Sequence, residues 1–369
     1  MLGKMLTVLT VCAALIAPFG AEKKCKVISE PGKGKLYHAV YPGSVQPDAG
    51  EDDITAKDIK SYEDTVGKKV AWVYFSNSWY KGKTRAFPTK TAKIIKDGGA
   101  VPYVRLMLWE SFAQNQADPT FTLDNIIKGK FDADFKAWAK GAKEFGSPIL
   151  AEYGTEVNGD WFPWNGVYNG GSQTAKYGDK NKADGPERFR DAYKRIIRIS
   201  REQGAYNIKW VFHANWSDWP NEPWNFFEQY YPGDDWIDWI GVSAYGAQTP
   251  MQDHVENFRS MVDVAYPRLV KMAPKKPVVV LEFSCTSGNP NADQAKWAEA
   301  ALKDITSFRW PKIMAFSWWN DKWTNDDNPS HNTNMRVQDN TKLKEVFQKL
   351  IKNNQNVLSR PIMVDKVIK

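Results

Sequence analysis

Apolar segments rich in β-branched and aromatic residues recur along the chain, separated by segments with helical periodicity. These apolar segments span 36–43, 70–79, 100–109, 147–156, 207–216, 236–246, 276–285 and 311–321. Each is almost continuously hydrophobic, which is typical of strands buried on both faces of a parallel sheet. The pattern therefore predicts eight buried strands.

Helical patterns fill the intervals between the predicted strands, at 52–67, 131–146, 185–204, 255–272, 292–308 and 342–353. Phe135 and Trp138 share one face of their helix, which ends at Gly146, a common helix terminator. The interval 222–235 is short and aromatic, which indicates a reduced helix. Strands alternating with helices predict an α/β fold, a single (β/α)8 TIM barrel. A doubly wound sheet is the alternative, but it usually carries a glycine-rich phosphate loop, and the sequence has none.

The first residues have the layout of a secretory signal peptide. Lys4 precedes an apolar run from Met5 to Phe19, which small residues follow up to Ala21. The run is too short for a comfortable transmembrane helix, and no later segment is apolar enough to insert into a membrane. We therefore expect residues 1–21 to be removed and the protein to be secreted or periplasmic.

The rest of the chain predicts one domain, over 33–352, followed by a C-terminal tail over 353–369 that we expect to be poorly ordered. Cys12 would leave with the signal peptide, so Cys25 and Cys285 remain. Export permits a disulfide between them, but a free, buried Cys285 is equally compatible with the sequence. The cysteine spacing excludes a cysteine-based zinc site.

Composition adds one unusual feature, since 14% of the residues are aromatic and 17 of them are Trp. The net charge of +7 comes from Lys and Arg interleaved with Asp and Glu, without a long basic run. A nucleic-acid binder would use such charge against phosphate. That hypothesis leaves acids at strand ends unexplained, because carboxylates repel phosphate, so we expect no nucleic-acid partner.

Acidic residues end two of the predicted strands. Glu156 ends the fourth, and Glu282 follows the apolar run VVVL in the seventh. In a barrel the carboxyl ends of the strands carry the active site, and these two acids can face each other across its mouth. Paired carboxylates that flank one bond are what glycoside cleavage needs. Glu152, one layer deeper, is interpreted as a structural partner of Arg105 on the third strand.

Aromatic residues crowd the same strand ends, where flat rings can stack on sugars. They are Trp79, Trp109, Trp161, Trp164, Trp216, Trp219, Trp224, Trp318, Trp319, Trp323 and Tyr245. Amides such as Asn158 and Asn215 can bind sugar hydroxyls beside them. The pattern indicates a carbohydrate ligand.

The motifs TEVNGDWFPW (155–164), YYPGDDWIDWIGVSAYG (230–246), KPVVVLEFS (276–284) and FSWWND (316–321) resemble glycoside hydrolase family 26, the β-mannanase group of the 4/7 barrel clan. The helix–strand segment 185–216 also fits. The first motif is similar to the family stretch H-E-x-N-G-x-W-x-x-W. The resemblance covers most of 70–325, and it implies a (β/α)8 barrel that cuts β-linked polysaccharides.

The resemblance implies roles for individual residues. Glu156 would be the general acid/base and Glu282 the nucleophile of a retaining hydrolase, with carboxyl groups roughly 5 to 5.5 Å apart. Tyr245 would hold the carboxylate of Glu282. Trp319 would lie under the sugar at the cleavage point, with Trp318 as a further candidate, and Trp161 would stack on a neighbouring sugar.

The sequence departs from the family at two positions that commonly line the subsite distinguishing sugars. Thr155 stands where the family has His, and the pair Trp109-Glu110 stands where it has Trp-His. His213 or His38 could supply an imidazole instead, although a structural role is the alternative for each. The resemblance favours β-1,4-mannan and leaves mixed-linkage β-glucan and β-1,3-xylan open.

The sequence thus predicts a secreted, retaining endo-β-glycanase. Its partner would be the polysaccharide, it would need no metal or organic cofactor, and we expect a monomer. The alternative is a non-catalytic glycan-binding barrel. The absence of His before Glu156 favours this alternative, and the presence of both acids argues against it.

Overall fold

A computed structural model describes residues 24–44, 50–80 and 82–368 of the chain. The expected signal peptide, 1–21, lies outside these residues. Within the described part of the chain, no helix combines the length and the apolar character needed to cross a membrane.

Eight parallel strands form a closed barrel. The described strands are β1 (Lys24–Ile28), β2 (Leu36–Tyr41), β3 (Trp72–Trp79), β4 (Val101–Leu108), β5 (Ile149–Tyr153), β6 (Ile208–Asn215), β7 (Trp239–Tyr245), β8 (Val278–Ser284), β9 (Ile313–Trp319), β10 (Lys322–Trp323), β11 (Thr333–Asn334), β12 (Val357–Leu358) and β13 (Met363–Val367). Strands β2 to β9 pair in chain order, and β9 pairs with β2 to close the ring. Almost every residue of these eight strands is buried, which confirms the eight strands and the TIM barrel predicted from their hydrophobicity.

Helices cover the outside of the barrel. They are α1 (Ala56–Val66), α2 (Thr89–Asp97), α3 (Leu123–Ile127), α4 (Asp132–Phe145), α5 (Asp184–Glu202), α6 (Phe227–Tyr230), α7 (Phe258–Met272), α8 (Gln294–Thr306) and α9 (Thr341–Phe347). The predicted helical segments are confirmed within a few residues, the last one because a π-helical turn over Gln348–Lys352 continues α9. The helix α6 has the reduced length expected of it. The helices α2 and α3 were not predicted.

Local sequence sets where these helices begin and end. The hydroxyl of Thr55 accepts a hydrogen bond from the backbone N–H of Asp58, whose carboxylate accepts one from the N–H of Thr55. This capping box explains why α1 begins at Ala56, later than the predicted segment. Gly67 ends the helix with a φ of +77°, a backbone conformation that is unfavourable for residues with a Cβ atom.

The C-terminal segment is ordered in strands, so the prediction of a poorly ordered tail is wrong. β12 pairs with the beginning of β2, and β13 pairs antiparallel with β1. All five residues of β13 are exposed, so backbone pairing with β1 and the ion pair between Lys26 and Asp365 hold this strand in place. Cys25 in β1 and the buried Cys285 are both free thiols.

Candidate active site

The carboxyl ends of the barrel strands surround a cleft of about 510 Å³. It is lined by Glu51, Gln114, Glu156, Trp161, Phe162, Asn215, Tyr245, Gln248, Glu282, Trp319, Asp321, Trp323 and Met335. The active sites of (β/α)8 barrels lie at this end. The structure therefore brings Glu156 and Glu282, which are far apart in the sequence, into one cleft.

Glu282 lies within β8, where the sheet is irregular. The register between β8 and β9 shifts between Val280 and Phe283, and irregularities of this kind often redirect side chains next to active sites. The hydroxyl of Tyr245 donates to Oε2 of Glu282 at 2.8 Å, and the guanidinium of Arg105 donates to Oε1 at 3.2 Å. Two donors therefore fix the orientation of the carboxyl group, in a residue that is only 4% exposed.

Opposing influences act on the ionisation of Glu282. Burial raises the pKa of its carboxyl to about 7, and the neighbouring carboxylates of Glu156 and Glu152 add to the rise, whereas Arg105 and His213 oppose it. A raised pKa is typical of functional carboxyl groups. Near neutral pH, Glu282 is therefore poised between its ionised and protonated forms.

Arg105 is the buried cation of the site. Its guanidinium contacts the carboxylates of Glu282 and Glu51, donates from Nε to the hydroxyl of Ser76 at 3.1 Å, and lies 5.0 Å from the ring of Trp319. The carboxylate of Glu51 also accepts a hydrogen bond from Ser76. Arg105 therefore connects the deep end of the cleft to the loop that follows β2.

Glu156 lies in a turn, three residues beyond the end of β5 at Tyr153. The prediction that Glu156 ends the strand itself is therefore wrong. Its backbone has φ +48°, a left-handed conformation that is uncommon for a residue with a Cβ. The indole N–H of Trp161 donates to Oε2 at 2.7 Å and the amide of Asn215 donates to Oε1 at 3.2 Å. Two uncharged donors thus orient this carboxyl group.

Glu152 lies fully buried inside the barrel below the cleft. Its carboxylate accepts hydrogen bonds from four side chains: Tyr74, Tyr103, Thr155 and His213. Glu152 neighbours Arg105 in the register of β4 and β5, but no hydrogen bond joins the two side chains among the described contacts. The predicted pairing is therefore wrong, because Arg105 turns towards Glu51 and Glu282.

Glu152 and His213 form a buried charged pair. Burial favours the neutral forms of both, but the interaction between them prevails. It lowers the pKa of Glu152, to which Thr155 and Tyr103 contribute hydrogen bonds, and it raises the pKa of His213. The other ring nitrogen of His213, Nε2, lies 2.6 Å from the hydroxyl of Ser243. All the polar groups of this pair are therefore used within the protein.

Four predicted sugar contacts lie at the cleft: Trp161, Asn215, Tyr245 and Trp319. The ring of Trp319 stacks on that of Tyr41, with centroids 4.1 Å apart and an interplanar angle of 29°. This packing fixes the plane of an indole that lines the cleft beside Glu282. It suits the predicted stacking on a sugar ring.

Five other predicted contacts lie outside the lining of the cleft: Thr155, Asn158, Trp109, His213 and Trp318. Thr155 and His213 are committed to Glu152. Trp109 packs against Phe162 and Trp164, and Trp318, which points to the opposite side of β9 from Trp319, packs against Phe347 of α9. Each of the five is buried in the fold, and their contact with substrate stays a prediction. His38, the other candidate imidazole, is also buried, with its Nε2 2.9 Å from the hydroxyl of Tyr62.

Asn158 supports the loop that follows β6. Its amide donates to the backbone oxygens of Asn215 and Ser217 and to the carboxylate of Asp218, and its own oxygen accepts from the N–H of Asn215. The backbone oxygen of Asn158 accepts from the N–H of Trp219 at 2.8 Å. The residue predicted to bind sugar thus positions a neighbouring loop.

Several lining residues were not predicted: Glu51, Gln114, Phe162, Gln248, Asp321 and Met335. Trp323, one of the aromatic residues predicted at the strand ends, also lines the cleft. Asp321 follows the end of β9, so the strand-end argument could have found it. Burial raises the pKa of Asp321 to about 6, and the carboxylate of Glu51 adds to the rise. Gln114 and Met335 come from long loops, where no sequence pattern indicates their direction.

The cleft therefore combines two buried carboxyl groups, a buried cation beside one of them and aromatic side chains along its walls. Among the described residues, no group of three His, Cys, Asp or Glu side chains is arranged to hold a metal ion. Two carboxyl groups in one cleft at the carboxyl end of a (β/α)8 barrel are what acid–base cleavage of a glycosidic bond requires.

Comparison with known proteins places the chain in a family. The model of glycosyl hydrolase family 26 matches residues 118–335, which is more than half of the chain. The chain belongs to this family, as the motifs predicted.

Individual relatives support the same placement. Endoglucanase H of Acetivibrio thermocellus is 26% identical over 271 residues, which are 73% of this chain and 27% of that protein. A mannan endo-1,4-beta-mannosidase of Bacillus subtilis is 24% identical over 206 residues, 54% of this chain and 48% of that protein. The chain spans less than half the length of these curated relatives. The structure of a Bacillus subtilis mannanase has a TM-score of 0.53 and 17% identity over 78% of this chain and 81% of that one, a likeness of fold.

Proposed function

We propose that this protein is a retaining endo-β-glycanase. The observation that carries the proposal is the presence of Glu156 and Glu282 in one aromatic-lined cleft, where, among the described residues, a buried cation contacts Glu282 and none contacts Glu156. A carboxylate that attacks carbon must be ionised, and Arg105 favours the ionised form of Glu282. Glu156 accepts hydrogen bonds from the uncharged N–H groups of Trp161 and Asn215, and no salt bridge to it occurs among the described residues.

The proposed reaction has two steps. In the first, the carboxylate of Glu282 attacks the anomeric carbon while Glu156 gives its proton to the leaving glycosidic oxygen, so that a covalent glycosyl-enzyme forms and the leaving sugar departs. In the second, Glu156 takes a proton from water, the water oxygen attacks the anomeric carbon and the carboxylate of Glu282 is released. Two inversions give net retention.

For the substrate we propose a β-glucan first and β-1,4-mannan second. The motif resemblance favours mannan, and a mannan endo-1,4-beta-mannosidase is among the relatives. The relative that matches over a larger part of this chain, however, is named an endoglucanase. Thr155, which replaces the His of the family motif, is bound to Glu152, and no histidine is among the residues that line this cleft.

A substrate panel tests this proposal. The purified protein would be incubated with barley β-glucan, glucomannan, galactomannan and β-1,3-xylan, followed by product sizing and by NMR of the newly formed anomeric centre. We expect oligosaccharide products of intermediate length with the β configuration from at least one polymer. A matched control is Glu144→Ala, which removes an exposed carboxylate from α4 and should leave the products unchanged.

Two results would contradict the proposal. Release of α-configured products would exclude the retaining mechanism. Binding to a polymer without release of reducing sugar would instead support a non-catalytic glycan-binding barrel. Export of the protein, which residues 1–21 support, is a further proposal, and the N-terminal residue of the mature protein would test it.

A further inference from the structure

A second pocket continues the active-site cleft. It has a volume of about 290 Å³ and is lined by Trp161, Asn215, Trp216, Ser217, Trp219, Tyr245, Gly246, Gln248, Gln252, His254 and Glu256. Four of these residues also line the cleft: Trp161, Asn215, Tyr245 and Gln248. We call this space the outer pocket. It opens directly from the cleft, so a polymer in one can extend into the other.

Trp219 is the most exposed aromatic side chain of the outer pocket, with 59% of its surface accessible. Among the described residues, its ring stacks on no other ring and its indole N–H has no hydrogen-bond partner. Trp164 and Trp318, in contrast, donate their N–H groups to backbone oxygens. Packing and hydrogen bonding within the protein therefore do not account for the position of Trp219.

The backbone of Trp219 is nevertheless held firmly. Its N–H donates to the oxygen of Asn158, and Gly159 pairs with Trp219 as an isolated parallel bridge. The carboxylate of Asp218, one residue earlier, accepts from Asn158 and from the backbone N–H of Phe227 and lies 2.7 Å from the guanidinium of Arg268. A large ring is thus presented to solvent from a fixed loop, an arrangement that suits an aromatic binding platform.

The lining residues give the direction of the outer pocket. Both acids line the cleft and not the outer pocket. Of the shared residues, Trp161 and Asn215 hold Glu156, whereas Tyr245 holds Glu282. The backbone of Trp219, in turn, is bonded through Asn158 and Gly159 to the turn that carries Glu156. In the proposed reaction Glu156 protonates the leaving oxygen. The outer pocket therefore lies on the side of the leaving sugar chain.

We propose that the outer pocket binds the second and later sugars of the leaving chain, with the first on Trp161 and the next on Trp219. The ligand class is a β-linked oligosaccharide that extends beyond the cleavage point. His254 and Glu256, an exposed pair with Nε2 to Oε1 at 2.8 Å, lie on the rim and can bind its hydroxyls. This inference rests on the proposed hydrolase function and adds a basis for endo action.

Substitution of Trp219 tests the inference. The readout is the ratio of kcat/KM on the polymer to kcat/KM on an aryl β-glycoside, whose leaving group carries no further sugar. We expect Trp219→Ala to lower this ratio about tenfold, since it removes a contact made only by the longer leaving chain. Trp219→Phe, which keeps a ring, should restore most of the loss.

Trp236→Ala is the matched control, because Trp236 is a half-buried Trp near the opposite end of β7 and lines neither pocket. It should leave the ratio unchanged. An unchanged ratio in Trp219→Ala would overturn the inference while the hydrolase function stands. If the wild-type protein cleaves no polymer, the hydrolase function fails, and the pocket is tested by binding alone. Titration calorimetry would then measure the binding of β-linked oligosaccharides to both variants. Weaker binding by Trp219→Ala than by Trp236→Ala supports the pocket, and equal binding excludes it.

Discussion

Glu282 lies inside strand β8 and contacts a buried cation, whereas Glu156 lies in a turn beyond β5 and accepts hydrogen bonds from two uncharged groups. The strand and Arg105 give Glu282 a fixed direction and a charged partner. The left-handed turn places Glu156 in the cleft, where its carboxylate accepts from Trp161, a residue that lines both the cleft and the outer pocket. The comparison teaches that two identical side chains acquire different chemistry from their surroundings.

The largest effect is expected from Glu282→Ala. Loss of the nucleophile should lower kcat on every β-glycan by about 10⁵-fold, since the proposed covalent intermediate cannot form. Initial rates of reducing-sugar release measure this. Residual activity within tenfold of the wild type would exclude Glu282 as the nucleophile.

Glu156→Ala should have a smaller effect that depends on the leaving group. We expect a loss of about 10²- to 10⁴-fold on the polymer, the range of general acid–base catalysis. Aryl glycosides whose leaving group needs no proton should still form the glycosyl-enzyme, and added azide should release it as the β-glycosyl azide. Equal losses on both substrate types, without azide rescue, would contradict the acid/base role.

Glu152→Gln tests the pair below the cleft. Removal of one partner from a buried charged pair costs about 3–5 kcal/mol of the free energy of unfolding. We expect urea denaturation to show a loss of that order, because His213 is left buried without its carboxylate. Glu144→Gln, an exposed change in α4, should shift the midpoint very little.

The smallest effect concerns pH and discriminates between the two assignments of roles. Because burial raises the pKa of Glu282 to about 7, a nucleophilic Glu282 becomes protonated as the pH falls, and kcat/KM should decline below about pH 7. If Glu282 were instead the acid, kcat/KM would decline above that pH.

Arg105→Met sharpens the same test. The ionised form of Glu282 loses its positively charged partner, so the pKa of its carboxyl should rise. The pH below which kcat/KM declines should therefore increase by about one unit or more. If the role of Arg105 were merely structural, its loss would lower kcat/KM at every pH and would not change the pH at which the decline begins.

The barrel and the two acids could be predicted because they follow from local patterns. Eight apolar segments bounded by helical periodicity define the strands, and Glu282 is marked by the apolar run before it. The outcome for Asn158 and Thr155 could not be predicted in the same way. Both lie in the turn that carries Glu156, and that turn folds inward, so their side chains meet protein groups where sugar contacts were expected.

The partner of Arg105 shows a second limit of sequence reasoning. Strand register correctly places Glu152 beside Arg105. However, three carboxylates lie near the guanidinium of Arg105, and it forms ion pairs with those of Glu51 and Glu282. Glu51 comes from a loop whose path no pattern specifies. Competition among buried charges is decided by distances in the fold, which sequence spacing does not supply.

Trp161 donates its N–H to Glu156 and lines both the cleft and the outer pocket. In the second proposed step Glu156 deprotonates whichever hydroxyl stands beside it, from water or from a sugar. A pocket that retains sugars also offers the glycosyl-enzyme a competing acceptor. At high oligosaccharide concentration the protein would therefore lengthen chains by transglycosylation, and the outer pocket would set the balance between synthesis and cleavage.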